Sequence, residues 1–104
     1  MLELALHILD IAENSVRAGA KTVFIDITED RLRDRLEIEI RDDGAGMDEA
    51  TVQRAMDPFY TSKKVRRVGL GLPLLKEAAI RAGGSFTIDS HEGAGTHVVT
   101  KTID

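Results

Sequence analysis

Apolar residues recur every three to four positions at the start of the chain, at Leu2, Ala5, Leu6, Leu9, Ala12 and Val16, which predicts an amphipathic helix over residues 1–18. Gly19 follows, at the place where a left-handed residue best ends a helix. The period then changes to two. Residues 21–28 alternate and are rich in β-branched side chains, and residues 36–41 alternate strictly between apolar and charged. With the charged stretch 30–35 between them, they predict a hairpin. Residues 42–46 break the second strand, and Asp48 predicts the N-cap of a short helix through Met56, with Glu49 in its first turn. Residues 57–70 have no apolar period, hold Pro58, Gly69 and a basic run, and predict a long loop. In a compact domain a loop of that length is functional or mobile. Residues 72–82 predict a helix with Pro73 in its first turn, where no intrahelical N–H is needed, and Gly83-Gly84 after it. Residues 85–90 and 96–103 predict strands around the turn 92–95. Strand pairs separated by helices give an α+β class, a two-layer sandwich with helices on one face of a mostly antiparallel sheet.

Composition narrows the function classes. The chain has 104 residues, enough for one domain and one core. Its balance of 42% hydrophobic and 31% charged residues is that of a folded globular protein, not of a disordered one. There is no cysteine, which excludes a disulfide scaffold, a thiolate metal site and a cysteine nucleophile. A net charge of −4 argues against a nucleic-acid partner, and the absence of tryptophan leaves no strong base-stacking platform. No apolar run approaches the ~18–20 residues of a membrane span. Glu3 stands where a signal peptide would carry basic residues. A soluble, cytoplasmic protein without nucleic-acid or membrane partners is the expectation.

Candidate chemistry gathers around three glycine pairs, Gly44/Gly46, Gly69/Gly71 and Gly93/Gly95, each at a predicted junction. Glycine there permits positive φ and close approach of a ligand to the backbone. Taken singly, each pair is no more than a turn. Gly69-Leu70-Gly71-Leu72 lacks the third glycine of a dinucleotide fingerprint, and no phosphate-binding G-x-x-x-x-G-K-[ST] loop is present. Their neighbours add to them. Asp42 ends a strand with a carboxylate able to accept from an exocyclic amine. Gly69–Gly71 leads into a helix N-terminus, which offers N–H groups to phosphate. Lys63, Lys64, Arg66 and Arg67 crowd the preceding loop. On the first helix, Asp10 and Asn14 are four apart and share a face, a carboxylate and an amide oxygen able to hold Mg²⁺ directly or through its waters. Glu13 lies off that face.

In order and spacing these residues resemble the sequence boxes of the GHKL superfamily of gyrase-type, chaperone, histidine-kinase and mismatch-repair ATPases. The asparagine box is Leu9 to Ala20, the first glycine box Asp42 to Gly46, a phenylalanine box Asp57 to Lys63, the second glycine box Gly69 to Leu72 and the third Gly93 to Thr96. The resemblance covers nearly the whole chain, and Phe59-Tyr60 with a short lid favours the histidine-kinase branch. It implies a Bergerat-type two-layer sandwich, with a mixed, mostly antiparallel sheet and about three helices on one face. It also implies ATP and Mg²⁺ as ligands under a lid at residues 58–70. Asn14 would contact Mg²⁺ and phosphate. Asp42 would accept the adenine amino group, with Gly44 and Gly46 shaping the pocket, Met47 against the purine and Thr96 near Asp42. Gly69, Leu70, Gly71 and Leu72 would face the phosphates, with Phe59 and Lys63 on the lid. Asp10 stands where mismatch-repair ATPases carry a glutamate base. One methylene shorter, it fits metal or metal-water contact, and with Asn14 it completes the candidate catalytic and metal pair.

Three readings follow from the resemblance. The first is an Mg-ATP-binding kinase-type domain that transfers a γ-phosphoryl group to a histidine or serine on a partner protein. His7, His91 and His97 have none of the accepting context of histidine kinases, so the acceptor is expected on another chain or domain. The second is a non-enzymatic, ATP-dependent switch that binds a partner. The third is a weak intrinsic ATPase, for which a homodimer is left open.

Overall fold

A computed structural model describes residues 2–17, 19–57 and 71–103. Helix α1 (Leu2–Arg17) is followed by strands β1 (Val23–Asp30) and β2 (Arg35–Asp42) and the short helix α2 (Glu49–Ala55). Helix α3 (Gly71–Arg81) and strands β3 (Ser85–His91) and β4 (Gly95–Ile103) are the remaining elements among the described residues. The four strands form one sheet in the order β1-β2-β4-β3, and every described pair is antiparallel. The α+β class is as the sequence predicts, and no parallel pair occurs among the described residues.

Local chemistry explains where the elements end. Gly19, at φ 86°, closes α1: its N–H bonds the Val16 carbonyl and that of Ala20 the Ser15 carbonyl, both at 3.0 Å. The end of α3 repeats the pattern, with Gly83 at φ 77° bonding Ile80 and Gly84 bonding Ala79. These are the crossed bonds of a left-handed helix cap. Asp48 caps α2, its Oδ1 accepting from the Thr51 N–H at 2.8 Å.

The period-two pattern sorts β2 into two faces. Leu36, Ile38 and Ile40 are buried, while Glu37 and Arg41 are exposed. The buried face joins Ile8 and Ile11 of α1, Leu72 and Leu75 of α3, Ala55 of α2 and Val98 of β4 in one core. The three described helices lie on that side, and the outer face of the sheet is mostly polar, with Phe24 and Val99 among its side chains.

The apolar stripe read for α1 is not the face that packs. Leu6, Leu9 and Val16 are more than half exposed, and Ala5 is exposed too. The buried line is Ile8, Ile11 and Ser15. Helix α1 carries apolar residues on two sides, and periodicity identifies a helix without saying which side meets the sheet.

Candidate functional site

Strand β2 delivers Asp42 to the end of the sheet, directly opposite Thr96 of β4. Both oxygens of the Asp42 carboxylate are fixed. Oδ1 accepts the Gly44 N–H at 2.8 Å, and Oδ2 accepts the Ser15 hydroxyl at 2.7 Å, with the Ile11 carbonyl as that hydroxyl's other acceptor at 3.2 Å. Each oxygen keeps a second lone pair for a ligand. The neighbouring Asp43 has a different task. Its Oδ1 accepts the N–H groups of Lys21 and Thr22 and ties the segment after α1 to the end of β2. The bonds from Thr22 and then Lys21 hold its carboxyl below the ordinary value of 3.8.

Two glycine pairs far apart in the chain meet beside Asp42. A Cβ on Gly46 would fall 1.9 Å from the His91 carbonyl oxygen, and one on Gly95 would fall 2.1 Å from that of Asp42. Both glycines have positive φ, at 72° and 81°. The Gly93 N–H bonds the Ala45 carbonyl at 2.7 Å, and the Met47 N–H bonds Ser90 Oγ at 2.8 Å. Ser90 Oγ also lies 2.8 Å from Thr96 Oγ1 and 3.2 Å from the Gly95 carbonyl. One proton arrangement satisfies all of them: Ser90 accepts from Met47 and Thr96 and donates to Gly95. Thr96 Oγ1 then presents lone pairs on the same side as Asp42. The resulting cradle has closely packed backbone walls, a carboxylate held at both oxygens and a hydroxyl oxygen, acceptors of the kind an amino group such as adenine's needs.

At the other side of the site α3 abuts α1. The Gly71 N–H donates to Asp10 Oδ2 at 2.9 Å. A Cβ on Gly71 would lie 2.9 Å from the His7 carbonyl oxygen and from Ile11 Cγ1, so only glycine allows the two helices this approach. Asn14, on the same face of α1, is half-buried with its amide nitrogen sealed from solvent. Among the described residues no group of three His, Asp or Glu side chains is arranged to hold a metal. The donors present, one carboxylate and one amide oxygen, suit Mg²⁺ that keeps its waters and phosphate ligands.

The structure therefore brings Asp42, Gly44, Gly46, Met47 and Thr96 together, and sets Asp10 at Gly71. Leu72 has its side chain in the core, which leaves its backbone N–H at the helix start. Phe59, Lys63, Gly69 and Leu70, and the lid read over residues 58–70, lie outside the described residues. Ser15 and Ser90 were missed by the sequence reading. Their signal is present: each is a polar residue in the buried phase of its element, Ser15 in line with Ile8 and Ile11, Ser90 with Phe86 and Ile88. His97 bonds Glu39 at 2.5 Å on the outer sheet face, where that bond is the main cause lowering the Glu39 carboxyl. His91 pairs with Asp89 and is exposed. An apolar cleft of about 420 Å³ between Met56 and α3, lined by Pro73, Leu74 and Ile80, contains none of the site residues.

The family model described as histidine kinase-, DNA gyrase B- and HSP90-like ATPase matches residues 2–104. Similar curated proteins are sensor kinases. The chain is 35% identical to the sensor histidine kinase WalK of Bacillus subtilis over 81% of its own length and 14% of the relative's. It is 36% identical to a probable C4-dicarboxylate sensor kinase of the same species, over 69% of the chain and 14% of the relative. It is 29% identical to the sensor protein DegM of a Bacillus species, over 88% of the chain and 24% of the relative. The chain thus spans a quarter or less of these relatives' lengths.

Proposed function

The chain belongs to the histidine kinase-, DNA gyrase B- and HSP90-like ATPase family, and on that premise we propose that it binds Mg-ATP and positions the γ-phosphoryl group for transfer to a histidine or serine on a partner protein. The observation that carries the ATP reading is the Asp42 carboxylate, held by Ser15 and Gly44 and flanked by two interlocked glycine turns. Such an acceptor matches the adenine amino group and opposes guanine, which has a carbonyl there. Asn14 and Asp10 would face the metal, which neutralises phosphate charge when bound. The N–H groups at the start of α3 suit phosphate oxygens. In the transfer, the partner's nucleophile forms a bond to the γ-phosphorus as the bond to the bridging oxygen of ADP breaks. That chemistry is mostly positioning and charge stabilisation, which a small domain can supply. The similarity to sensor kinases supports the acceptor class, and a cytoplasmic location belongs to the same reading. Among the described residues no helix is long and apolar enough to cross a membrane.

Calorimetric titration with Mg-ATP tests the reading, with GTP and Asp42→Asn as controls. ATP is expected to bind and GTP to fail. Asp42→Asn should weaken ATP roughly 10- to 100-fold, the worth of one hydrogen bond to a charged group. Equal binding of ATP and GTP would refute the adenine pocket. Incubation with γ-labelled ATP and cell extract tests transfer, and an unlabelled proteome would argue against it. One observation favours the non-enzymatic switch: the Asp10 carboxylate already accepts the Gly71 N–H at the start of α3. Equal hydrogen-exchange protection by ADP and a non-hydrolysable ATP analogue would sink that second reading.

A further inference from the structure

We infer that Asp10 is a built-in competitor for nucleotide phosphate at the start of α3, so that the site discriminates against nucleotide lacking a divalent cation. The inference rests on the ATP reading above and concerns how that same site is regulated.

Helix α3 has no acidic residue in its own first turn. A helix start with free N–H groups and a positive dipole end attracts an anion. The anion it has comes from another element: Asp10 of α1 places Oδ2 2.9 Å from the Gly71 nitrogen. The packing enforces this contact. A Cβ on Gly71 would sit 3.2 Å from Asp10 Cβ and 2.9 Å from the His7 carbonyl oxygen, so α1 and α3 touch at backbone distance. The Asp10 backbone is therefore held beside Gly71, and the amide is freed only when the Asp10 side chain turns away.

A carboxylate oxygen and a phosphate oxygen are equivalent acceptors for one N–H. A phosphate entering at Gly71 must displace Asp10 from that donor, and it then stands beside a carboxylate of like charge. Nucleotide without a cation meets both penalties. Nucleotide carrying Mg²⁺ brings the positive charge that a displaced carboxylate can face, with Asn14 one turn further along the same side of α1. Adenosine has no phosphate and escapes both effects. Asp10 is thus a specificity-determining residue whose role in the nucleotide-free protein is to hold the phosphate position.

The test is calorimetric titration of the full chain with ATP, ADP and adenosine, each in Mg²⁺ and in EDTA, for wild type and Asp10→Asn. Wild type should bind Mg-ATP about tenfold or more tighter than ATP in EDTA, the order expected of one charge-assisted contact. Asp10→Asn should cut that ratio to about threefold or less, mainly by tightening ATP and ADP in EDTA, and leave adenosine unchanged. The Gly71 amide resonance supplies a readout independent of the variant's folding. In wild type it should move on saturation with ATP and stay in place with adenosine. The inference is overturned if Asp10→Asn binds ATP in EDTA no tighter than wild type, or if ATP saturates wild type without moving the Gly71 amide. Wild type that binds neither ATP nor adenosine overturns the ATP reading itself, and this inference with it.

Discussion

Thr100 sits in the middle of β4, fully buried, and among the described residues its hydroxyl has no hydrogen-bond partner. A buried hydroxyl without a partner costs stability that an apolar group of the same shape would not. Thr100→Val should therefore stabilise the protein by about 1 kcal/mol, raising Tm by roughly 4–8 °C in a domain of this size, as read by thermal unfolding. A lower Tm would show that the hydroxyl is satisfied. Ser15 is the instructive contrast. The residue is also buried, but its hydroxyl donates to the Asp42 carboxylate. The sequence alone does not separate the two. Both are small polar residues in an apolar phase, and only the arrival of β2 with its carboxylate joins Ser15 to the candidate site.

At the scale of elements, the caps and strand phases were legible because they depend on neighbours in sequence. Gly19, Asp48 and Gly83 act where local chemistry says they should. The buried face of α1 was not legible, because its two apolar sides differ only in what packs on them. The glycines divide in the same way. Gly19 has positive φ and open space around it, so Gly19→Ala should cost only the left-handed strain of about 1–2 kcal/mol. Gly95 adds contact with the Asp42 backbone to a similar φ. Gly95→Ala should cost more in urea unfolding, and should weaken ATP because Asp42 must shift. Equal costs for the two substitutions would contradict the close packing of the turns.

The whole molecule depends on which hairpins meet. Two predicted hairpins do not state the order β1-β2-β4-β3, yet it is this order that lays Thr96 beside Asp42. The cradle residues Asp42 and Thr96 stand in the sequence as candidates, but the place where they meet does not follow from it. Acid stability also depends on two carboxylates that accept backbone N–H groups: Asp43 joins the segment after α1 to the end of β2, and Asp48 caps α2. Asp48 is lowered chiefly by its bonds with Thr51, as Asp43 is by Thr22 and Lys21. A carboxyl lowered on folding contributes stability that is complete above its unfolded value, 3.8 for both groups. That contribution fades as pH falls through the lower folded value. Tm measured down the acid limb should fall below about pH 4, and Asp43→Asn should make that fall shallower. An unchanged slope would mean that Asp43 holds no differential charge.

The β1–β2 turn lies at the opposite end of β2 from Asp42, seven residues away, or about 23 Å at the usual strand rise. Leu32 at its tip is 99% exposed and packs on nothing. Because the chain has no cysteine, Leu32→Cys would create its sole thiol. A dye attached there would report the tumbling of the domain, or its capture by a larger molecule, without entering the cradle.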